Sequence, residues 1–312
     1  MRKIVVLAGI ALAGAVSMTA QTPPPSAGQA QPDDLYQRGQ QLFDQFAPPD
    51  VKQQYEFPTK AQFDDFIARL QRALDDGSLA DLAEYESQAQ AALAILRAVP
   101  DQTDLADWLG TRLDEIDEAG AITKGGSGAA GPRERPTELA VRIPYYDQWL
   151  ARERTKPEPA NAAALMPRLR RDFAAEGVPP EIAWLAEAES SLDSSARSPS
   201  GARGLFQLKA DTAHDLGLST FLPDERTDPD KSARAAARYL RGLGKEFGSW
   251  PLAFAAYNAG SGRVKRLLEE RHASDFAGIA EALPSGTRMY VPKVCALIAV
   301  RAGVPPESIP RP

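Results

Sequence analysis

The stretch PPEIAWLAEAESSLD, Pro179 to Asp193, carries three glutamates on an apolar body behind a double proline. Its reading decides the fold of the C-terminal half. Proline is favoured in the first turn of a helix, so Pro179-Pro180 marks a helix start. An α-helix turns about 100° per residue, so Leu185, Ala186 and Glu189 fall within about 60° of Ile182 and Glu187 about 140° away. The count places Glu189 on the apolar face and Glu187 on the opposite one, where it is expected to be an ordinary solvated residue. A carboxyl on an apolar face is a different object. Desolvation raises its pKa, and an acid still protonated near neutral pH can protonate a leaving oxygen. Helical position alone leaves a second reading open, a glutamate near a helix end that pairs with an arginine.

With 43% hydrophobic and 25% charged residues over 312 positions, the chain is globular, with room for one good-sized domain and a smaller one. A net charge of −6 argues against a nucleic-acid partner. The charge is unevenly spread: residues 33–120 hold 7 Lys and Arg against 19 Asp and Glu, and residues 121–312 hold 27 against 23. The single cysteine, Cys295, lies in the apolar run VCALIAV and reads as a small buried residue. His214 and His272 stand apart in charged or polar surroundings. Neither a metal-ligand spacing nor a Ser/His/Asp set is present, so no metal or cofactor is expected.

The first residues, MRKIVVLAGIALAGAVSMTAQ, have basic Arg2 and Lys3, an apolar run from Ile4 to Val16 and small residues near Ala20. Residues 1–20 follow the pattern of a secretory signal peptide. That predicts a periplasmic or cell-envelope protein with no transmembrane span once the signal is removed. Met18 stands where cleavage prefers a small residue, which leaves an uncleaved anchor open. Residues 21–33, rich in Pro, Gln and Ala, read as a flexible tether. Residues 34–120 read as an acidic helical region: Phe63, Phe66, Ile67, Leu70 and Leu74 recur at the spacing of one apolar stripe. The region shows no chemistry of its own, and a protein partner for it stays open. Residues 121–136 form a Gly/Pro linker. The second domain, residues 137–312, has no alternation long enough for a strand beyond a small hairpin near residues 197–208.

Further motifs follow the opening stretch: GARGLFQ at 201–207, AYNAG at 256–260 and LPSGTRMYV at 283–291. With Glu189-Ser190 they match, in order and in spacing, the lytic murein transglycosylases. Over roughly residues 144–302 the chain resembles their soluble-lytic-transglycosylase-like catalytic domain, in particular that of the membrane-bound D type. The resemblance implies a mainly α fold, with a lysozyme-like (goose-type) catalytic domain behind the small acidic helical region. It implies peptidoglycan glycan strands as substrate. The bond cut is the β-1,4 bond from N-acetylmuramic acid to N-acetylglucosamine, leaving 1,6-anhydro ends. By position, Glu189 is the catalytic acid/base. Ser190 matches a serine that orients the substrate's acetamido group or the glutamate, and Gln207 matches a cleft glutamine. Tyr257 and Asn258 match the pair lining the site near the scissile bond. Tyr290 matches a tyrosine whose hydroxyl assists the glutamate. Gly286 departs from the pattern, since the family usually has a glutamate there.

One acid suffices for this chemistry on general grounds. Most glycosidases use two carboxylates, and substrate-assisted enzymes are exceptions. Asp193 and Asp211, the other acids of the matched segments, are not at family catalytic positions, and Asp193 reads as fixing the loop after the helix. Two other functions stay open at this point. One is a muramidase that adds water. The other is a peptidoglycan-binding scaffold with a weak site, the reading that Gly286 favours.

Overall fold

Helices dominate the computed structural model, which describes residues 3–4, 32–65, 79–99, 103–123, 142–198 and 201–312. The expected signal peptide apart from Lys3–Ile4, almost all of the tether and most of the linker lie outside the described residues. So do Phe66, Ile67, Leu70 and Leu74 of the apolar stripe, whereas Phe63 is buried. The N-terminal half contains α1 (Pro32–Phe46), α2 (Pro49–Gln54), α3 (Leu79–Ala83), α4 (Glu86–Ala98) and α5 (Thr103–Thr123). Lys3–Ile4 and Tyr55–Glu56 form a short parallel pairing. The rings of Phe57 and Phe63 pack against Tyr36 at 5.6 and 5.5 Å between centroids. Helix α5 packs on α3 and α4, and it continues past the expected boundary at residue 120 to Thr123.

The C-terminal half holds α6 (Tyr146–Thr155), α7 (Ala162–Ala175), a 3-10 turn (Pro180–Trp184) and α8 (Leu185–Ser190). It continues with α9 (Ala210–Asp215), α10 (Pro229–Phe247), α11 (Trp250–Ala259), α12 (Ser261–Glu270), α13 (Phe276–Ala280) and α14 (Ser285–Ala302). Helix α14 is the axis of this half. Met289, Tyr290, Val291, Val294, Cys295 and Ile298 on it are all fully buried, which is the mark of a helix enclosed on every side. It packs against α6, α8, α11 and α5. Burial pushes the Cys295 thiol well above its ordinary pKa, so it behaves as an inert core residue, as expected.

Helix α10 is one-sided. Ala233, Ala236, Ala237, Leu240 and Leu243 face the core, and its contacts are to α7 and α11. Asp228 caps it by accepting from the Asp230 and Lys231 amides at 3.0 and 2.9 Å. Pro229 opens the first turn and Gly248 closes the last with a left-handed φ of 62°.

The small hairpin expected near residues 197–208 reduces to antiparallel bridges joining Arg197 to Arg203 and Arg203 to Leu208. Arg226, buried beneath this loop, holds it by donating to the carbonyls of Gly201 at 2.8 Å and Leu208 at 3.2 Å. Gly204 has φ 76°, and a Cβ there would come within 1.9 Å of the Arg226 carbonyl oxygen. Only glycine fits. Gly201 also has a left-handed φ, 81°, but open space around it.

The two glycines make an internal comparison. Gly204→Ala is expected to lose about 3 kcal/mol or more, from overpacking and a strained φ together. Gly201→Ala is expected to lose about 1 kcal/mol, from φ alone. Urea denaturation of both variants checks this, and equal losses would overturn the steric account.

Candidate active site

The opening stretch is a 3-10 turn that passes into an α-helix at Trp184–Leu185. Pro180 takes its first position, as the double proline predicts. The short helix α8 is enclosed on most sides: Leu185, Ala186, Ala188 and Ser190 are all buried, and Glu187 and Glu189 are partly so. It packs against α14, α5 and the 3-10 turn. The chain then reverses sharply, with Ser191 and Leu192 both left-handed at φ 52° and 64°. Asp193 accepts from the Ser195 amide and hydroxyl at 2.8 and 2.7 Å, the loop-fixing role its position suggests.

The expectation for Glu187 is corrected by this packing. Glu187 does not point to water. Its side chain is 10% exposed and pairs with Arg301 of α14, at 2.7 Å from Nη2 and 3.0 Å from Nε. Arg301 also donates to the carbonyls of Lys156 and Pro157. The 3-10 turn, at about 120° per residue, still leaves Glu187 on the far side from Ile182. What fails is the expectation that this side meets water, because it is covered and Arg301 meets Glu187 there. The arginine partner, an open alternative for Glu189, belongs to Glu187.

Glu189 itself faces a hydroxyl. Tyr290, fully buried on α14, donates to Glu189 Oε1 at 2.5 Å. Desolvation pushes the Glu189 carboxyl up to about 7, against the opposing pull of the Tyr290 hydrogen bond and of Arg112. A carboxyl poised there can both give and take a proton near neutral pH. Desolvation and the neighbouring Glu189 also hold the hydroxyls of Tyr290 and Tyr257 far above their ordinary pKa, so both stay protonated donors.

Three of the remaining expected residues, Ser190, Gln207 and Tyr257, converge on the loop at residues 196–206. Ser190 is buried, and its hydroxyl lies 3.1 Å from the Ala186 carbonyl and 3.0 Å from that of Leu205. Its proton is held by the backbone, so Ser190 ties α8 to the glycine loop. Gln207, strained at φ 44°, donates through Nε2 to the carbonyls of Ala196 and Gly204. Both N–H groups close the loop, and among the described residues no hydrogen bond reaches its Oε1. Tyr257 donates to the Phe206 carbonyl at 2.7 Å and packs on Tyr239. Asn258 is exposed and accepts from the Thr287 hydroxyl at 2.8 Å. A Cβ on Gly286, next to Thr287, would meet nothing within 4 Å. No group of His, Cys, Asp or Glu among the described residues could hold a metal ion.

The motifs do not reveal Arg112, Glu115 and Lys293, the charged groups acting on Glu189 after Tyr290. Arg112 and Glu115 lie on α5, in the acidic N-terminal half. The only sign of them in the sequence is the opposite charge of the two halves. That complementarity is used inside the molecule. On the α5 side, Asp114 lies 2.9 Å from Arg152 of α6 and 2.7 Å from Lys156 just after it, and Glu118 lies 3.4 Å from Arg152.

Residues 172–279 match the family described as Transglycosylase SLT domain. That segment is similar to the family over about a third of the chain, and the fold around it is mainly α. Over 126 residues the chain is 37% identical to membrane-bound lytic murein transglycosylase D of Escherichia coli (strain K12), spanning 38% of this chain and 27% of that protein. Over 120 residues it is 34% identical to soluble lytic murein transglycosylase of Salmonella typhimurium, spanning 36% of this chain and 19% of that protein. A crystal structure of the lytic transglycosylase Slt from Pseudomonas aeruginosa, in an inactive mutant form, aligns with TM-score 0.41 and 17% identity, covering 97% of this chain and 67% of that one. The chain thus spans about a quarter or less of the length of these sequence relatives. Glu189, Ser190, Gln207, Tyr257 and Asn258 fall inside the matched segment, and Tyr290 lies just beyond it.

The two glutamates have separable consequences. Glu189 ionises at about 7 in the fold against an ordinary 4.5, so ionisation costs the folded state stability as pH rises between those values. The cost is absent below the lower value and complete above the upper, on the order of 3 kcal/mol. Glu189→Gln removes it, so the variant should gain stability over the parent at pH 8.5 and gain little at pH 4.5. Thermal denaturation at both pH values measures this. Glu187→Gln should instead lose about 2–3 kcal/mol, because Arg301 is left as a buried charge with only carbonyl partners. Urea denaturation near neutral pH tests that loss.

Proposed function

We propose that this protein is a peptidoglycan lytic transglycosylase with Glu189 as its single acid/base. The observation that carries this reading is the Tyr290 hydroxyl 2.5 Å from a Glu189 carboxyl raised to about 7, beside the SLT-family segment. Tyr290 donates to Oε1, which leaves Oε2 to hold the transferable proton. The substrate would be a glycan strand with its β-1,4 bond from N-acetylmuramic acid to N-acetylglucosamine against Glu189.

In this mechanism Glu189 gives its proton to the leaving oxygen as the bond from C1 to that oxygen breaks. The muramoyl acetamido oxygen forms a bond to C1 from the opposite face, which makes a second carboxylate unnecessary. The 6-hydroxyl oxygen then displaces the acetamido oxygen at C1, and its proton passes to the Glu189 carboxylate. The anhydro ring closes and the acid is restored. A general acid serving both steps needs a pKa close to the working pH, which the burial of Glu189 supports. Gln207 Oε1 and the Asn258 amide NH2 are the polar groups on hand for sugar hydroxyls and acetamido groups. Ser190 acts here by holding α8 against the glycine loop. The basic n-region and apolar run at the N-terminus support export to the periplasm or cell envelope, where such strands are found.

Digestion of purified peptidoglycan followed by mass spectrometry of the muropeptides tests the reading. Products should end in anhydro-muramic acid, lighter than reducing ends by one water. Reducing ends would instead establish a muramidase, and co-sedimentation without soluble product would establish a binding module. Glu189→Gln should lower product formation by at least about 10³-fold, in keeping with loss of a general acid.

A further inference from the structure

The charged side chains that act on the Glu189–Tyr290 pair come from outside the matched segment, residues 172–279. Helix α5 packs directly on α8 and α14. From it, Arg112 reaches both oxygens of Glu115 through Nη1, at 2.8 and 3.1 Å. Glu115 Oε1 lies 3.7 Å from Lys293 Nζ. Lys293 is three residues along α14 from Tyr290, one helical turn, and it lies over the Trp149 ring at 5.5 Å. Glu115 and Lys293 side chains are each 4% exposed, so this pair is hardly screened by water. The Arg112 side chain is 24% exposed, and it lies close enough to act on both Glu189 and Tyr290.

We propose that Arg112 and Glu115 are positioning residues of the catalytic centre, a half-buried pair through which the N-terminal half sets the electrostatic field at Glu189. This inference rests on the reading of Glu189 as the acid/base. The groups facing Glu189 are Tyr290 and Lys293 from α14, Tyr257 from α11, and Arg112 and Glu115 from α5. The other acids on its own stretch are Glu181, Glu187, matched by Arg301, and Asp193, which accepts from Ser195. Within this set the two α5 residues have opposite signs. Arg112 favours the carboxylate form of Glu189, and Glu115 favours the neutral acid. Glu115 also holds Arg112 through Nη1 and sits against Lys293, so it restrains both cations. The pair acts as a balance: either partner alone would displace the protonation of Glu189 in its own direction.

Opposite signs give a test that a packing role does not imitate. The full chain, with its glutamate carboxyl carbons labelled by 13C, is titrated by NMR, and Glu189 is assigned by the signal missing from Glu189→Gln. Arg112→Ala should raise the Glu189 midpoint by about half a pH unit or more, and Glu115→Gln should lower it by a similar amount. Arg112→Lys should stay near the parent. The pH profile of muropeptide release should move with each midpoint. Glu115→Gln keeps the shape of the side chain, so the test survives if Arg112→Ala fails to fold. Midpoints that stay put, or that move in the same direction in both variants, overturn the inference. Failure of the functional reading looks different: the midpoints move as stated, yet no Glu189-dependent product appears.

Discussion

A carboxyl group taken out of water and met by a single hydroxyl is the constraint on which the C-terminal half depends. Desolvation raises the cost of ionising Glu189, and the Tyr290 hydroxyl at 2.5 Å recovers part of it. To hold those partners, α8 must be enclosed and α14 must run through the core. Both conditions are met. Helix α8 has buried residues all round, and α14 is covered by α6, α8, α11 and α5. A helix in that position cannot leave a charge unpaired on any side. This explains the separate fates of the two neighbouring glutamates. Glu187 is matched by a guanidinium and made structural, whereas Glu189 is given only a neutral donor and stays able to change its protonation.

The loop opposite Glu189 is held by backbone capture. Ser190, Gln207 and Tyr257 all donate to carbonyls of residues 186–206. Gly204 allows the loop to lie against the Arg226 carbonyl. Residues that the motifs suggest as substrate contacts therefore first serve to build the surface. Gln207 retains a carbonyl oxygen for further use, and Ser190 retains little.

The acidic N-terminal half is not an appendage in this structure. Asp114, Glu115 and Glu118 of α5 meet Arg152, Lys156 and Lys293 of the C-terminal half. Such a docking brings charge to bear on the desolvated Glu189 carboxyl. At the low effective dielectric of a protein interior, even a partly compensated ion pair acts on a neighbour far more strongly than it would in water.

Local pattern in the sequence already determined much of this molecule. Helical periodicity and the proline start at Pro179-Pro180 were legible because each expresses backbone geometry over a few residues. The motif residues around Glu189 were legible as types in a fixed order. The surroundings of Glu187 were not, because they depend on an arginine more than a hundred residues away. Nor were Arg112 and Glu115, since helix packing across the linker decides which acidic residue of α5 approaches Glu189. Sequence order sets the chemistry each segment can offer. Which groups share a low-dielectric space, and so how Glu189 ionises, is a property of the tertiary structure alone, because electrostatic interaction depends on distance and burial and not on separation along the chain.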